Sequence, residues 1–357
     1  MRAFASPGRS SCASSVALSV ALLSLVSCAG QCTARQSTLS PADAPPAHML
    51  ASVGWFALVV VCVVAAVMLV LIVGGALHAR GSLEEHAPFD EEGGHGWIWV
   101  GGVVVPVVVL AAFFVVSLRG MTDATLHEGH GADAAREGHL PEIVVTGHQF
   151  WWEVTYPGSS PSDRITTANE IHIPTGQPVE IALRSADVIH SFWIPRLHGK
   201  VDLVPGRENR IRIEADTPGV YAGQCAEFCG VDHALMRIVV VAEPPSSFAA
   251  WVAASIEPAL APDDVELARG KQLFESRACA LCHTIRGTPA GGRLGPDLTH
   301  IGSRMRIGSE IMPNDPAHLE AWITRAQTFK PGAQMPNITD FSGEELRVVT
   351  RYLLSLQ

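Results

Sequence analysis

The stretch CAEFCGVDHALM, residues 225–236, places two thiols, an imidazole and a thioether within twelve residues: Cys225, Cys229, His233 and Met236. Soft sulfur donors mixed with imidazole form the ligand set that copper favours. Further on, CALCH at 279–283 has Cys279, Cys282 and His283 at the spacing that attaches haem covalently. One chain bearing both signatures reads as an electron carrier with two different redox metals. A zinc site would need only four ligands and no methionine. A disulfide between Cys225 and Cys229 would leave His233 and Met236 without a role.

Working outward, 357 residues are too many for one ordinary core and imply two or three domains. The mean hydropathy of +0.23 points to membrane segments, and a net charge of −10 excludes an ordinary nucleic-acid binder. The eight cysteines fall into groups that suit ligand pairs better than a disulfide framework.

At the N-terminus, Arg2 and Arg9 precede an apolar run from Val16 to Val26 and then Ser27-Cys28. That order predicts a signal peptide over 1–27, and it resembles a bacterial lipoprotein signal with Cys28 as the lipidated residue. Met49 to Leu77 and Trp97 to Leu118 contain no charged residue, and each is long enough to cross a bilayer. Trp55, Trp97 and Trp99 suit interfacial anchoring, so a two-helix transmembrane hairpin is expected within 49–119. An exported start followed by two crossings returns the remainder to the outer, periplasmic side of a bacterial plasma membrane.

Residues 120–140 (HEGHGADAAREGH within them) have no hydrophobic period and read as a linker in which His127, His130 and His139 are solvated. From Glu142, EIVVTGHQFWWEVTY, EIHIPTG, PVEIALRS, NRIRIEAD and MRIVVVAE are short β-rich runs punctuated by Pro, Gly, Asn and Asp. They predict an all-β sandwich or barrel over 141–243. A proline-marked connector, 244–262, includes a short helix near Phe248–Ile256. Over 263–357 three helical stretches predict a small α domain, with Ser342 and Glu345 forming a capping box on the last helix. This domain carries equal numbers of acidic and basic residues, so its encounters are not set by net charge.

Two coppers close together need bridging ligands, which Cys225 and Cys229 can supply. A further donor should come from a distant strand, with His190 in DVIHSFWIP the best candidate. With these residues in view, HSFWIP, GKVDLVPGR and YAGQCAEFCGVDHALM resemble the CuA domain of subunit II of haem–copper cytochrome c oxidases. The two spans resemble that subunit's hairpin. The resemblance implies a cupredoxin-like barrel in which Cys225 and Cys229 bridge the coppers, His190 and His233 are terminal ligands, and Met236 is a weak ligand. It implies that Glu227 binds copper through its backbone carbonyl while its carboxylate reaches a magnesium shared with the catalytic subunit I.

Two positions depart from that family. GHQ is followed by Phe150 where a tryptophan normally receives electrons from docked cytochrome c; Trp151 or Trp152 would have to take over, or are core residues. Gly96 stands where a glutamate often precedes the second span's tryptophan, leaving Glu91 and Glu92 as nearby acids.

In CALCH, Cys279 and Cys282 lie one helical turn apart and reach the two vinyl groups of one haem, with His283 beneath the iron. Met335 in PGAQMPN resembles the axial methionine of class I cytochromes c, and GPDL at 295–298 resembles the loop whose Pro296 carbonyl holds His283. Met305, Met312, His300 and His318 compete as sixth ligand.

As a whole the chain resembles subunit II of a caa-type oxidase, with a cytochrome c domain fused behind CuA. The fusion would raise the effective concentration of the donor. The implied function is to pass electrons from haem c to CuA and on to the catalytic subunit, which reduces oxygen to water with proton translocation. The implied partners are subunit I, further oxidase subunits, and cytochrome c or another periplasmic donor. The alternative is a self-contained, membrane-anchored electron-transfer protein serving another reductase.

Overall fold

The computed structural model describes residues 45–79, 95–119 and 142–357. The signal segment with Cys28, Glu91 and Glu92, and the 120–140 linker with its histidines lie outside the described residues. Helix α1 runs from Pro45 to Ala79, and α2 spans 95–119. Both expose Val, Leu and Ile on every side, as a lipid-facing helix must. They meet where Phe56 and Phe113 pack edge to face, ring centroids 4.9 Å apart. In α2 the turn Val100–Val104 is a π-helix placed just before Pro106. Pro106 has no N–H to close the normal ladder, and a widened turn accommodates that loss.

Ten strands follow, in two five-stranded sheets. One has the order β3-β2-β1-β5-β8, built from Ile165–Ala168, Trp151–Tyr156, Glu142–His148, Val179–Ser185 and Asn209–Ile213. The other has the order β4-β10-β9-β6-β7, from Glu170–Pro174, Arg237–Glu243, Gly219–Cys225, His190–Trp193 and Val201–Leu203. Strand β1 alternates buried and half-buried residues, the period-two pattern of one face on a core. The run EIVVTGHQFWWEVTY is a hairpin: β1 and β2 pair with His148 opposite Trp151, around a tight turn at Gln149 and Phe150. Trp152 is fully buried between the sheets, a position where truncation to alanine costs about 3–5 kcal/mol.

Helix α3, Pro245–Ile256, starts three residues before the expected stretch and lies on the sandwich, where Trp251 stacks on His172 at 4.1 Å. The C-terminal helical domain then contributes α4 (Val265–Ser276), a single turn α5 (Cys279–Cys282), a two-stranded ribbon β11-β12 (Arg306–Ile307 with Met312–Pro313), α6 (Pro316–Phe329) and α7 (Gly343–Ser355). Helix α4 ends at Ser276, and Arg277 and Ala278 separate it from α5. The Ser342–Glu345 capping box is formed as expected. Helix α4 packs on α7 so closely that a Cβ at Gly270 would lie 2.4 Å from the Val348 carbonyl oxygen.

Candidate functional site

The loop between β9 and β10 folds back on itself so that its sulfurs face inward. Cys225 and Cys229 Sγ are 3.9 Å apart as free thiols, too far for a disulfide. Around Cys225 lie His190 Nδ1 at 3.9 Å and the Glu227 carbonyl oxygen at 3.2 Å. Around Cys229 lie His233 Nδ1 at 3.7 Å and Met236 Sδ at 3.9 Å. Each thiol therefore has one imidazole and one weaker donor, and the two halves meet at the sulfur pair. His190, Cys225 and Cys229 are all buried. The two thiols share a proton, which holds the Cys225 sulfur far below the ordinary thiol range while its neighbour stays protonated. A sulfur that ionises so readily, beside two imidazoles, suits a soft cation.

Position 190 is fixed from behind by a residue the sequence reading did not single out. His190 Nε2 donates to Asp187 Oδ1 at 2.7 Å, which commits Nδ1 to the sulfur side. Burial works to raise the Asp187 carboxyl, but hydrogen bonds from His190, Gln149 and Val188 outweigh it and hold the group below its usual range. The only signal in the sequence was an acid three residues before a candidate ligand. The Glu227 carboxylate points away from the cluster, 3.8 Å from Lys200 Nζ.

The second site is a cavity of about 250 Å³ in the C-terminal helical domain. Cys279, Cys282, His283 and Met335 all line it; Met305, Met312, His300 and His318 do not. Met312 is in the domain core, His318 bonds Asp315, and His300 reaches the Glu257 and Gln357 carbonyls. His283 Nδ1 donates to the Pro296 carbonyl at 2.7 Å, leaving Nε2 for the cavity. Burial lowers the His283 pKa and favours the neutral imidazole that binds metal. Gly295 permits this approach: a Cβ there would sit 2.6 Å from His283 Cε1. Gln327 Nε2 donates to the carbonyls of Ala333 and Met335, both at 2.6 Å, and so fixes the Met335 loop. Arg304 also lines the cavity, with a buried Nε that has no acceptor in the protein. A group with carboxylate arms would satisfy it.

The cavity is closed partly by the other domain. Gln149, Phe150, Trp151 and Asn169 of the sandwich form one wall. Phe150 is buried under Gly332, and Trp151 stacks on His148 at 4.4 Å. Trp152 lies deeper, its ring 6.0 Å from that of His190. The position where the sequence departs from the resembled family is thus covered by the helical domain.

Two family models match in tandem. Residues 160–243 match the periplasmic domain of cytochrome c oxidase subunit II, and residues 267–357 match cytochrome c. The chain is 37 % identical over 254 residues to cytochrome c oxidase subunit 2 of Alkalihalophilus pseudofirmus, covering 71 % of each chain. It is 30 % identical over 288 residues to the same subunit of Bacillus sp. strain PS3, covering 77 % of this chain and 78 % of the relative. Against the Bacillus subtilis strain 168 subunit the identity is 26 % over 282 residues, covering 74 % of this chain and 76 % of the relative. Two apolar helices, a copper-type sandwich and a haem-type helical domain in this order complete the match, and the chain belongs to the cytochrome c oxidase subunit 2 family, as a subunit of an oxidoreductase complex with a cytochrome c domain fused behind its periplasmic domain.

Proposed function

We propose that this chain carries electrons from a haem c in its cytochrome domain to a dinuclear copper centre in its sandwich, and from there to a catalytic subunit that reduces oxygen to water with proton translocation. The observation that carries this reading is the shared wall: residues 149–151 line the haem-type cavity while Gln149 Nε2 donates to the Cys229 carbonyl at 2.5 Å. What the two groups supply when bound is a reversible one-electron change.

The protein's own part is to hold and insulate. Cys225 and Cys229 would bridge the coppers, with His190 and His233 at the ends, Met236 as a weak donor and Glu227 through its carbonyl. Cys279 and Cys282 would hold the porphyrin, His283 and Met335 would face its iron, and Arg304 would meet its carboxylates. Phe150 and Trp151 wall the haem-side cavity, and Trp152 lies 6.0 Å from the His190 ring. They exclude water there and keep the dielectric low. The Glu227 carboxylate, paired with Lys200, would reach a magnesium shared with subunit I. The membrane hairpin would hold both domains on the periplasmic face, against subunit I and further subunits. Electrons would arrive from cytochrome c or another periplasmic donor, and Cys28 would add a lipid anchor.

The test is the purified full chain loaded with haem and copper. A low-spin c haem together with a mixed-valence dicopper signal is expected, and a flash-reduced haem should pass its electron to copper. A single copper, zinc alone, or no transfer would overturn the reading. Isolation together with a large haem-bearing membrane protein separates an oxidase subunit from a self-contained shuttle.

A further inference from the structure

Lys330, just past the end of α6, is 2 % exposed. Its ammonium has three hydrogens to place, and four uncharged oxygens surround it. Two belong to the sandwich, the Phe150 carbonyl at 2.6 Å and the Leu235 carbonyl at 3.1 Å. Two belong to the cytochrome domain, the Ser309 hydroxyl at 2.8 Å and the Gly308 carbonyl at 3.3 Å. Leu235 closes the short turn between His233 and Met236, two of the donors of the copper-type cluster.

Lys330 is thus bonded at once to the wall of one site and the loop of the other. Burying an ammonium bonded to uncharged oxygens, with only the nearby Asp232 carboxylate to offset burial, is unfavourable for stability alone. The compensation is placement, because the four oxygens converge only when the two domains sit in one register.

The surrounding contacts agree. Ser309 also donates to the Phe150 carbonyl at 3.0 Å, Gly332 N–H to Asp232 Oδ2 at 2.7 Å, and Met305 N–H to Glu170 Oε1 at 2.7 Å. Gly332 is pressed so close that a Cβ there would lie 2.4 Å from Val231 Cγ1 and 2.7 Å from the Phe150 ring.

We propose that Lys330 is a positioning residue for electron transfer, a latch that holds the cytochrome domain on Phe150 and the Leu235 turn so that the haem-side cavity and the copper loop keep one fixed relation. This rests on the proposed function for what passes between the sites, but the latch itself is a statement about the protein. The fused domain then works as a seated donor rather than as one that swings on a tether.

The test uses the full chain in detergent with haem and copper bound, as wild type and as Lys330→Met, which keeps the length of the side chain and removes the charge. Amide hydrogen exchange is followed in peptides covering 147–152, 230–236 and 305–311. Loss of the charge-assisted bonds should speed exchange there by roughly tenfold or more. The haem and copper spectra stay unchanged, and flash-initiated transfer becomes slower and dependent on solvent viscosity, the mark of a reaction waiting for docking. A merely structural lysine would not give viscosity dependence. Wild-type exchange with viscosity-independent transfer in Lys330→Met would overturn the latch. If that variant fails to take up haem, Ser309→Ala and Gly332→Ala decide by the same exchange measurement, and unchanged protection in both overturns it. Absent copper signals with intact protection in the wild type would instead refute the proposed function and leave the latch standing.

Discussion

Asp187→Asn should weaken copper binding roughly 30-fold while leaving the fold intact. Asp187 accepts three bonds: Oδ1 from His190 Nε2 and Val188 N, Oδ2 from Gln149 N, each at 2.7 Å. Asparagine has one oxygen and one amide nitrogen, and the nitrogen can only donate. Turned either way, it leaves His190 Nε2–H with Val188 N–H, or else Gln149 N–H, facing another donor. An unpaired donor in this partly buried pocket costs about 1–3 kcal/mol, and the bond that survives loses its charge assistance. A net loss of about 2 kcal/mol in the state with His190 correctly aimed corresponds to a factor of roughly 30. That lies within the roughly 10–100-fold range seen when the group behind a metal-binding histidine is removed. The assay is competition of copper-free full chain against a chelator, read from the dicopper absorption. Asp216→Asn, at an exposed carboxylate elsewhere on the sandwich, should change nothing. If Asp187→Asn bound copper within about twofold of wild type, Asp187 would not be what aims His190, and the argument from donor counting would fail.

Met335→Ala should abolish a methionine-type haem spectrum and keep the covalent haem; an unchanged optical spectrum counts against Met335, since it is the cavity-lining methionine. Gly295→Ala should push the His283 ring off the Pro296 carbonyl, seen as a shifted and broadened haem spectrum, because the new Cβ would sit 2.6 Å from Cε1. Burial, together with the Glu170 carboxylate, pushes the Glu310 carboxyl up to about 8 from 4.5, against the pull of Arg306 and Arg304. Below 4.5 the group is protonated folded or unfolded and costs nothing; as pH rises to about 8 the unfolded chain gives up the proton first, so stability falls. The full loss is about 5 kcal/mol, and Glu310→Gln should flatten that slope in scanning calorimetry of the full chain; an identical slope would remove Glu310 from the account.

What could be read directly from the sequence was whatever is local. The spacing of Cys225, Cys229, His233 and Met236 and of Cys279, Cys282 and His283 lies within single loops, and those loops fold into the clusters the spacing implies. The capping box at Ser342 and the apolar runs of α1 and α2 are local in the same sense. His190 was found because a donor was missing and its motif stood out, although it is 35 residues from Cys225. Short strands such as Ile165–Ala168 and Val201–Leu203 carry too few residues for a period to show, and the sheet, not the segment, decides them. Lys330, Ser309 and Asp232 gave no signal at all. Their partners lie across a domain boundary, and a lysine before Pro-Gly looks in sequence like any surface loop.

That boundary also accounts for position 150. In the sequence Phe150 looks like the loss of a tryptophan and, with it, of a contact for a soluble carrier. In the structure the phenyl ring is held between two glycines: a Cβ at Gly230 would lie 2.9 Å from it, and one at Gly332 2.7 Å. Its own carbonyl is taken by Lys330 and Ser309. On the sides facing Gly230 and Gly332 the ring is already in close contact, and a larger ring there would force neighbouring backbone apart. The residue at 150 is therefore set by what covers it. A surface that another domain covers has no place for a wide, exposed indole, and the close approach of Gly332 leaves no room for one.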